Sequence, residues 1–244
     1  MPSVLILSSH VAATPVGGSL QAAALARMGI HAALAPTVLF GRHPGLGPPG
    51  GGPVSQPLFE GMLEGVAASG LLTSLEAVIT GYFANVDQVA AAVRTIDAVR
   101  EANARALIAV DPIMGDEPKG LYVREDVAQA IAADLIPRAD LVAPNVWELE
   151  RLGGREAIGK PVLASSITAG DEIGVLYADA DQAWLATHAK VAEAPNGTGD
   201  LLTALFVAAC ITGHAPREAL QSAVEGAAKR AGAPVPVRVE AWSE

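Results

Sequence analysis

The sequence predicts an α/β fold: a central, mostly parallel sheet with helices on both faces and a hairpin at one edge. Three observations predict it. Short apolar runs alternate with amphipathic stretches along most of the chain, as βαβ units require. Its 244 residues suffice to bury a full core as one domain, residues 1–244. Beyond residue 174 the alternation gives way to two strand-like runs joined by a turn.

The elements follow in order. Residues 4–7 form a buried first strand and 20–28 a helix; 77–80 and 86–99 repeat the pair, as do 106–110 and 127–135. Residues 141–143 and 162–164 read as further central strands. Asp179-Ala180-Asp181 separates residues 174–178 from 183–187 and suits the turn of a hairpin. Helices return at 198–212 and 216–231, the second opened by Pro216, a residue favoured in a first helical turn. Residues 41–57 are dense in glycine and proline and cannot continue a helix or a central strand; they predict a mobile loop, with a lid near a ligand as its functional reading.

Composition narrows the function. The chain is 51% hydrophobic with a mean hydropathy of +0.35, yet the excess is largely alanine spread through helices. No apolar run approaches the roughly 18 residues a bilayer demands, so no membrane segment is expected. The first residues lack a basic segment and read as a strand, not a signal peptide, which predicts a cytoplasmic protein. Cys210 is the single cysteine and lies in an apolar helix. A formal net charge of −10 with no lysine or arginine stripe argues against nucleic acid. It does not argue against ATP, whose phosphates need only a local patch of N–H groups, a metal and one or two cations.

Four motifs carry candidate chemistry. Pro195-Asn196-Gly197-Thr198-Gly199-Asp200 opens an apolar helix. Its glycines let the backbone turn tightly with N–H groups converging, and the helix dipole adds positive potential, an anion hole. Asp200 beside it is placed to take a proton from an attacking hydroxyl; the plain alternative is a turn with Asp200 as cap. Asn145 and Glu148, after a predicted strand, share a helix face and are candidates for ordering water around Mg²⁺; the same spacing also writes a capping box. Asp111-Pro112-Ile113-Met114-Gly115-Asp116 stands at a strand's carboxyl end, where parallel sheets bind ligands, and its two acids are either metal-adjacent or turn formers. Ser8-Ser9-His10-Val11, followed by Val16-Gly17-Gly18, supplies polar groups for a small molecule, although a lone histidine such as His10 is more often structural.

Taken in this order, and together with Thr37-Val38-Leu39-Phe40-Gly41-Arg42-His43 and Thr80-Gly81-Tyr82, the motifs resemble the pyridoxal kinases of the ribokinase-like superfamily over nearly the whole chain. The resemblance implies transfer of the γ-phosphoryl of ATP to the 5′-hydroxymethyl of pyridoxal, pyridoxine or pyridoxamine by a homodimer using Mg²⁺ and often K⁺. It implies Asp200 as catalytic base with Gly197, Thr198 and Gly199 as anion hole. Ser9, Val16, Thr37, His43 and Tyr82 fall at the vitamer. Asp111, Asn145, Glu148, Ser165 and Thr198 fall at the nucleotide, and Asp111, Asp116 and Glu148 around the metal.

The chain departs from the family pattern at Gly17-Gly18, where Gly-Asn is usual, and at Ala143, where a threonine is usual. It is also short over residues 153–161, where the family has a further helix. Two rivals remain open. Hydroxymethylpyrimidine kinases share the fold but typically carry cysteine at the position of Asp200. A vitamin- or nucleotide-binding protein without turnover would have no use for a proton acceptor there.

Overall fold

The computed structural model describes residues 1–192, 194–233 and 237–242. Its strands are β1 (Ser3–Val11), β2 (His31–Phe40), β3 (Gly51–Pro53), β4 (Ala77–Thr80), β5 (Leu107–Val110), β6 (Gly115–Asp116), β7 (Gly120–Leu121), β8 (Leu141–Val142), β9 (Val162–Ala169), β10 (Glu172–Ala178), β11 (Ala183–Ala189) and β12 (Arg238–Ala241). Its helices are α1 (Gly17–Arg27), α2 (Gln56–Ala68), α3 (Val86–Ala102), α4 (Glu125–Ala130), α5 (Val146–Arg151), α6 (Gly154–Ile158), α7 (Thr198–Ile211) and α8 (Pro216–Ala231).

Ten strands form one sheet in the order β12-β11-β10-β9-β8-β5-β4-β1-β2-β3. The six from β9 to β2 are parallel, and β3, β10, β11 and β12 add antiparallel edges. β6 and β7 make a separate hairpin.

Successive strand side chains point to opposite faces, so each parallel strand feeds two cores. Leu5, Leu7, Val78, Ile108, Val110 and Val142 face the layer of α2, α3 and α4. Val4, Ile6, Ala77, Ile79, Ala109 and Leu141 face α1, α7 and α8. Burial on both faces explains why the central strands read as continuous apolar runs. The alanine excess has its place in the second layer, where Ala204, Ala208, Ala219, Ala223 and Ala227 let helices and sheet approach closely.

Several expectations are corrected. Residues 41–57 are not a free loop: they hold a 3-10 turn at Pro44–Leu46 and the strand β3, paired antiparallel with β2, and the first residues of α2. The hairpin is closed by the Gly41 N–H donating to the Pro49 and Gly50 carbonyls and by Arg42 Nε donating to the Pro48 carbonyl. Glycine and proline here build a short edge strand, which proline tolerates. The segment 153–161 does contain a helix, the short α6. Residues 127–135 begin as α4 and widen into a π turn at Ile131–Leu135. The hairpin β10–β11 forms as expected, with Asp179 Oδ1 accepting from the Asp181 and Gln182 N–H groups. No described helix is long and apolar enough to cross a membrane.

Candidate active site

Five parallel strands end along one rim of the sheet, and each carries or leads into one of the sequence motifs. The Ser9 region ends β1, Gly81-Tyr82 succeeds β4, Asp111 succeeds β5, Asn145 lies just past β8, and Ser165 sits in β9. Ligands of open α/β sheets bind on this rim. A cavity of about 710 Å³ opens there, and Ser9, Val16, His43, Tyr82, Asp111, Asp116, Asn145, Glu148, Ser165, Gly197, Thr198, Gly199 and Asp200 all line it.

Thr37 is the exception among the expected site residues. It is fully buried, and its hydroxyl donates to the Tyr82 carbonyl at 2.6 Å. It holds the backbone from which Tyr82 reaches the cavity and is not itself on the wall. His43 is on the wall, but its Nδ1 accepts from the Gly45 N–H and caps the 3-10 turn. Burial and the nearby Lys119 charge push its pKa down, favouring the neutral ring. Tyr82 is half-buried, and burial raises its pKa, so the phenol stays protonated.

Gly197 has φ of 86° and caps α7, whose first turn carries Asp200. Only glycine fits: a Cβ there would lie 2.8 Å from the Pro15 carbonyl oxygen and 3.1 Å from Val16 Cα. Thr198 Oγ1 donates to the Pro195 carbonyl and closes the turn. The opening N–H groups of a helix lack intrahelical partners, so this end of α7 offers them to an anion. Asp200 Oδ2 accepts from the Gly17 N–H at 2.8 Å, and Oδ1 is buried with no partner among the described residues. Burial raises the Asp200 pKa, against the lowering effects of that hydrogen bond and of Arg230.

The Gly17-Gly18 departure has a steric reason. A Cβ at Gly18 would stand 2.5 Å from Leu34 Cδ1 and 3.1 Å from the Ser9 carbonyl oxygen, so an asparagine here requires the Leu34 side chain to shift.

Asn145 and Glu148 do form the capping box of α5. Glu148, 3% exposed, also reaches across: Oε1 accepts from the N–H groups of Met114 (2.7 Å) and Gly115 (3.2 Å), and Oε2 from that of Asn145. Asn145 Nδ2 donates to the Gly115 carbonyl. The pair therefore stitches the loop after β5 to α5. Asp111 Oδ2 accepts from Thr203 Oγ1 at 3.1 Å. Burial, then the charges of Glu148 and Asp200, raise the Asp111 pKa well above the ordinary carboxylate range. Burial likewise raises that of Glu148, the more so for the charge of Asp116, against three backbone N–H donors.

Among the described residues no three acidic, histidine or cysteine side chains stand close enough to form a metal cage, so Asp111, Asp116 and Glu148 are not gathered as one ligand set. Two observations nonetheless fit a cation brought in by a nucleotide. Asp116 Oδ1 is buried without a partner among the described residues, and the pKa of Asp111 is raised by burial and then by the charges of Glu148 and Asp200, that of Glu148 by burial and then by the charge of Asp116. Magnesium at phosphates commonly takes one or two carboxylates, with phosphate oxygens and water completing the shell.

Sequence reasoning missed several wall residues. Lys119 and Tyr122 project from the β6–β7 hairpin, Lys119 Nζ lying 3.6 Å from Asp116 Oδ2 and 5.6 Å from the Tyr122 ring centre. Thr203, three residues after Asp200 on α7, was legible from helical spacing. Its hydroxyl reaches Asp111 beside the cavity wall at Ala143, where the usual threonine is lacking. Lys190 and His188, at the end of β11, had no local signal.

A family model described as phosphomethylpyrimidine kinase matches residues 62–237. A pyridoxine/pyridoxal/pyridoxamine kinase of Bordetella avium is 33% identical over 239 residues, covering 90% of this chain and 81% of its own. A pyridoxal kinase PdxY of Rubrobacter xylanophilus is also 33% identical, covering 89% and 82%. Among solved structures, pyridoxal kinase from Leishmania donovani in complex with ADP and pyridoxine has 25% identity and a TM-score of 0.83, with 93% of this chain and 84% of that chain covered. The Entamoeba histolytica pyridoxal kinase has a TM-score of 0.87 at 24% identity, covering 94% and 88%, and speaks to the fold. With its motifs on one rim and relatives of this identity along nearly its whole length, the chain belongs to the pyridoxal kinase family of the ribokinase-like superfamily.

Proposed function

We propose that this protein is an ATP-dependent kinase that phosphorylates the 5′-hydroxymethyl group of pyridoxal, pyridoxine or pyridoxamine. The observation that carries the reading is the Asp200 carboxylate, held by the Gly17 N–H beside the open N-terminus of α7 on the wall of the cavity. A binding protein has no need of a half-buried acid with a raised pKa at that point; a kinase needs it as a base.

The vitamer takes the end of the cavity walled by Ser9, Val11, Val16, Phe40, His43 and Tyr82, apolar surface with a few polar groups, as a heteroaromatic ring requires. The nucleotide takes the end formed by Asp111, Asn145, Glu148, Ser165 and Thr198, with Lys190 near its phosphates. Asp200 accepts the hydroxyl proton as the hydroxymethyl oxygen bonds to the γ-phosphorus. The bond from that phosphorus to the bridging oxygen breaks, and ADP leaves. The N–H groups of Gly197, Thr198 and Gly199 and the α7 dipole stabilise charge on the transferred phosphoryl. Asp116, whose Oδ1 has no partner among the described residues, would hold Mg²⁺ at the phosphates, with Asp111 and Glu148 acting on it through water, and the ion would supply charge neutralisation there. K⁺ serves as an activator in this reading. The chain acts as a single kinase domain, in the cytoplasm, as a homodimer, a state that sedimentation equilibrium tests.

The decisive experiment is a coupled ADP-release assay with Mg·ATP and, in parallel, the three B6 vitamers and hydroxymethylpyrimidine, with Asp200→Ala as control. Turnover of a vitamer that disappears in the control is the expected result. Turnover of the pyrimidine alone would move the protein to the neighbouring specificity named by the matching family model. Binding without turnover would make it a non-catalytic homologue.

A further inference from the structure

We propose that Arg230 is a positioning residue for phosphoryl transfer, tying the segment that enters α1 to the segment that enters α7 and so fixing Asp200 against Gly17. The inference deepens the kinase reading and rests on it.

Arg230 lies in the last turn of α8, half-buried and off the cavity wall. Its Nη2 donates to two backbone carbonyls, those of Pro15 and Asn196, both at 2.9 Å. These carbonyls come from opposite ends of the chain, and their segments are in backbone contact, as the 2.8 Å approach of a Cβ on Gly197 to the Pro15 oxygen demonstrates. Two carbonyl dipoles aimed at one point repel unless a donor stands between them, and a charged donor makes the stronger bonds. Arg230 is that donor.

The bridge stands in series with the catalytic contact. Two residues beyond Pro15 is Gly17, whose N–H meets Asp200 Oδ2; one helical turn beyond Asn196 is Asp200 itself. Gln21 of α1 adds a weaker tie at 3.4 Å to the Asp200 carbonyl. No other side chain hydrogen-bonds across the two segments among the described residues; α1 and α7 also pack directly, but without Arg230 only the Gly17–Asp200 and Gln21 hydrogen bonds set the direction of the Gly17 N–H toward Asp200. The guanidinium charge also favours the ionised Asp200, against burial.

The test compares Arg230→Met and Arg230→Lys with the wild type in steady-state kinetics, and follows hydrogen exchange of the Gly17 amide by NMR without substrates. Misplacing a reacting group costs roughly 10–100-fold. The expected result for Arg230→Met is a kcat loss of that order, with KM for vitamer and ATP within about threefold and faster exchange at Gly17. Arg230→Lys, which keeps charge and donors, recovers most of both. Unchanged Gly17 protection in Arg230→Met overturns the proposal, as does lost protection with wild-type kcat, or a lysine variant no better than methionine in both readouts. Should Arg230→Met fail to fold, Arg230→Gln replaces it in the same comparison. If the wild type turns over no vitamer, the kinase reading fails by itself, and Gly17 exchange still decides whether Arg230 holds the contact.

Discussion

Gly17 and Asp200, 183 residues apart in sequence, are joined by a 2.8 Å hydrogen bond from the backbone N–H of one to Oδ2 of the other. Gly17 has a φ of 60°, and a Cβ there would fall 1.9 Å from Ser9 Oγ. The N–H points at Asp200 only because the backbone is left-handed and the side chain absent. Gly17→Ala therefore combines backbone strain with overpacking, together about 2–4 kcal/mol of destabilisation. It also re-aims the N–H. Thermal unfolding and kcat should both fall, the latter by at least about tenfold as expected for lost preorganisation. A variant with wild-type kcat would show that this contact does not place the base.

Asp200 must be ionised to act as a base. Burial is the leading cause of its raised pKa, so kcat/KM should decline on the acid side at a pH above that of an ordinary aspartate. Asp200→Ala should lower kcat by about 10²–10⁴ with ATP affinity largely retained, a general-base loss. Calorimetric titration of ATP and the pH–rate profile check the two halves separately.

Glu148 accepts three backbone N–H groups with two oxygens. Glu148→Gln replaces one acceptor oxygen with an NH₂ facing an N–H donor, leaving a buried group unsatisfied at about 1–3 kcal/mol. The loop carrying Asp116 loosens with it. The expected outcome is a lower melting temperature and a raised KM for ATP, with the vitamer KM little changed. Equal rises in both would place Glu148 at the vitamer as well.

Much of this was written in the sequence at the level of pattern. Residues whose spacing matches a local geometry were readable: α8 begins at Pro216 and ends at Ala231 as the periodicity predicts, and Asn145 with Glu148 forms the capping box their spacing allows. What spacing does not encode is which backbone group a side chain meets across the fold. Nothing near Glu148 announces Met114, and nothing near Arg230 announces Pro15. The edge strands β3 and β12 were missed because β3 is written in glycine and proline and β12 in alternating charge, compositions that edge strands tolerate and central ones do not. Thr37 shows the opposite error. A hydroxyl in the right motif was read as a ligand contact, although full burial turns it toward its own backbone neighbour.

Thr37→Val tests that distinction. The Tyr82 carbonyl loses its 2.6 Å donor, and Tyr82 is free to shift on the cavity wall. The vitamer KM should rise about three- to tenfold, within the range of one lost hydrogen bond, while ATP affinity is unaffected. Thr37→Ser, which keeps the hydroxyl, should restore the wild-type value. A serine variant as weak as the valine one would mean that the threonine methyl group, and not the hydrogen bond, sets the position of Tyr82.

Asp111 offers a test of the electrostatics that needs no substrate. Its carboxyl is buried, 7% exposed, and its pKa is raised first by burial and then by Glu148 and Asp200. A group whose folded pKa lies above its unfolded value stabilises the fold fully only below the unfolded value, and that contribution is lost as pH rises through the folded pKa. Above its folded pKa the charged carboxylate is thus a net burden on the fold. Asp111→Asn removes the charge and keeps an oxygen to accept from Thr203. The variant should melt above the wild type at pH values over the folded pKa, by about 2–4 °C if roughly 1 kcal/mol is relieved. The difference should vanish toward the ordinary aspartate value of 3.8. Turnover should fall in the same variant, since in the proposed reaction that charge is what receives a cation-bearing nucleotide. A variant destabilised at every pH would assign Asp111 a structural role that its charge does not explain.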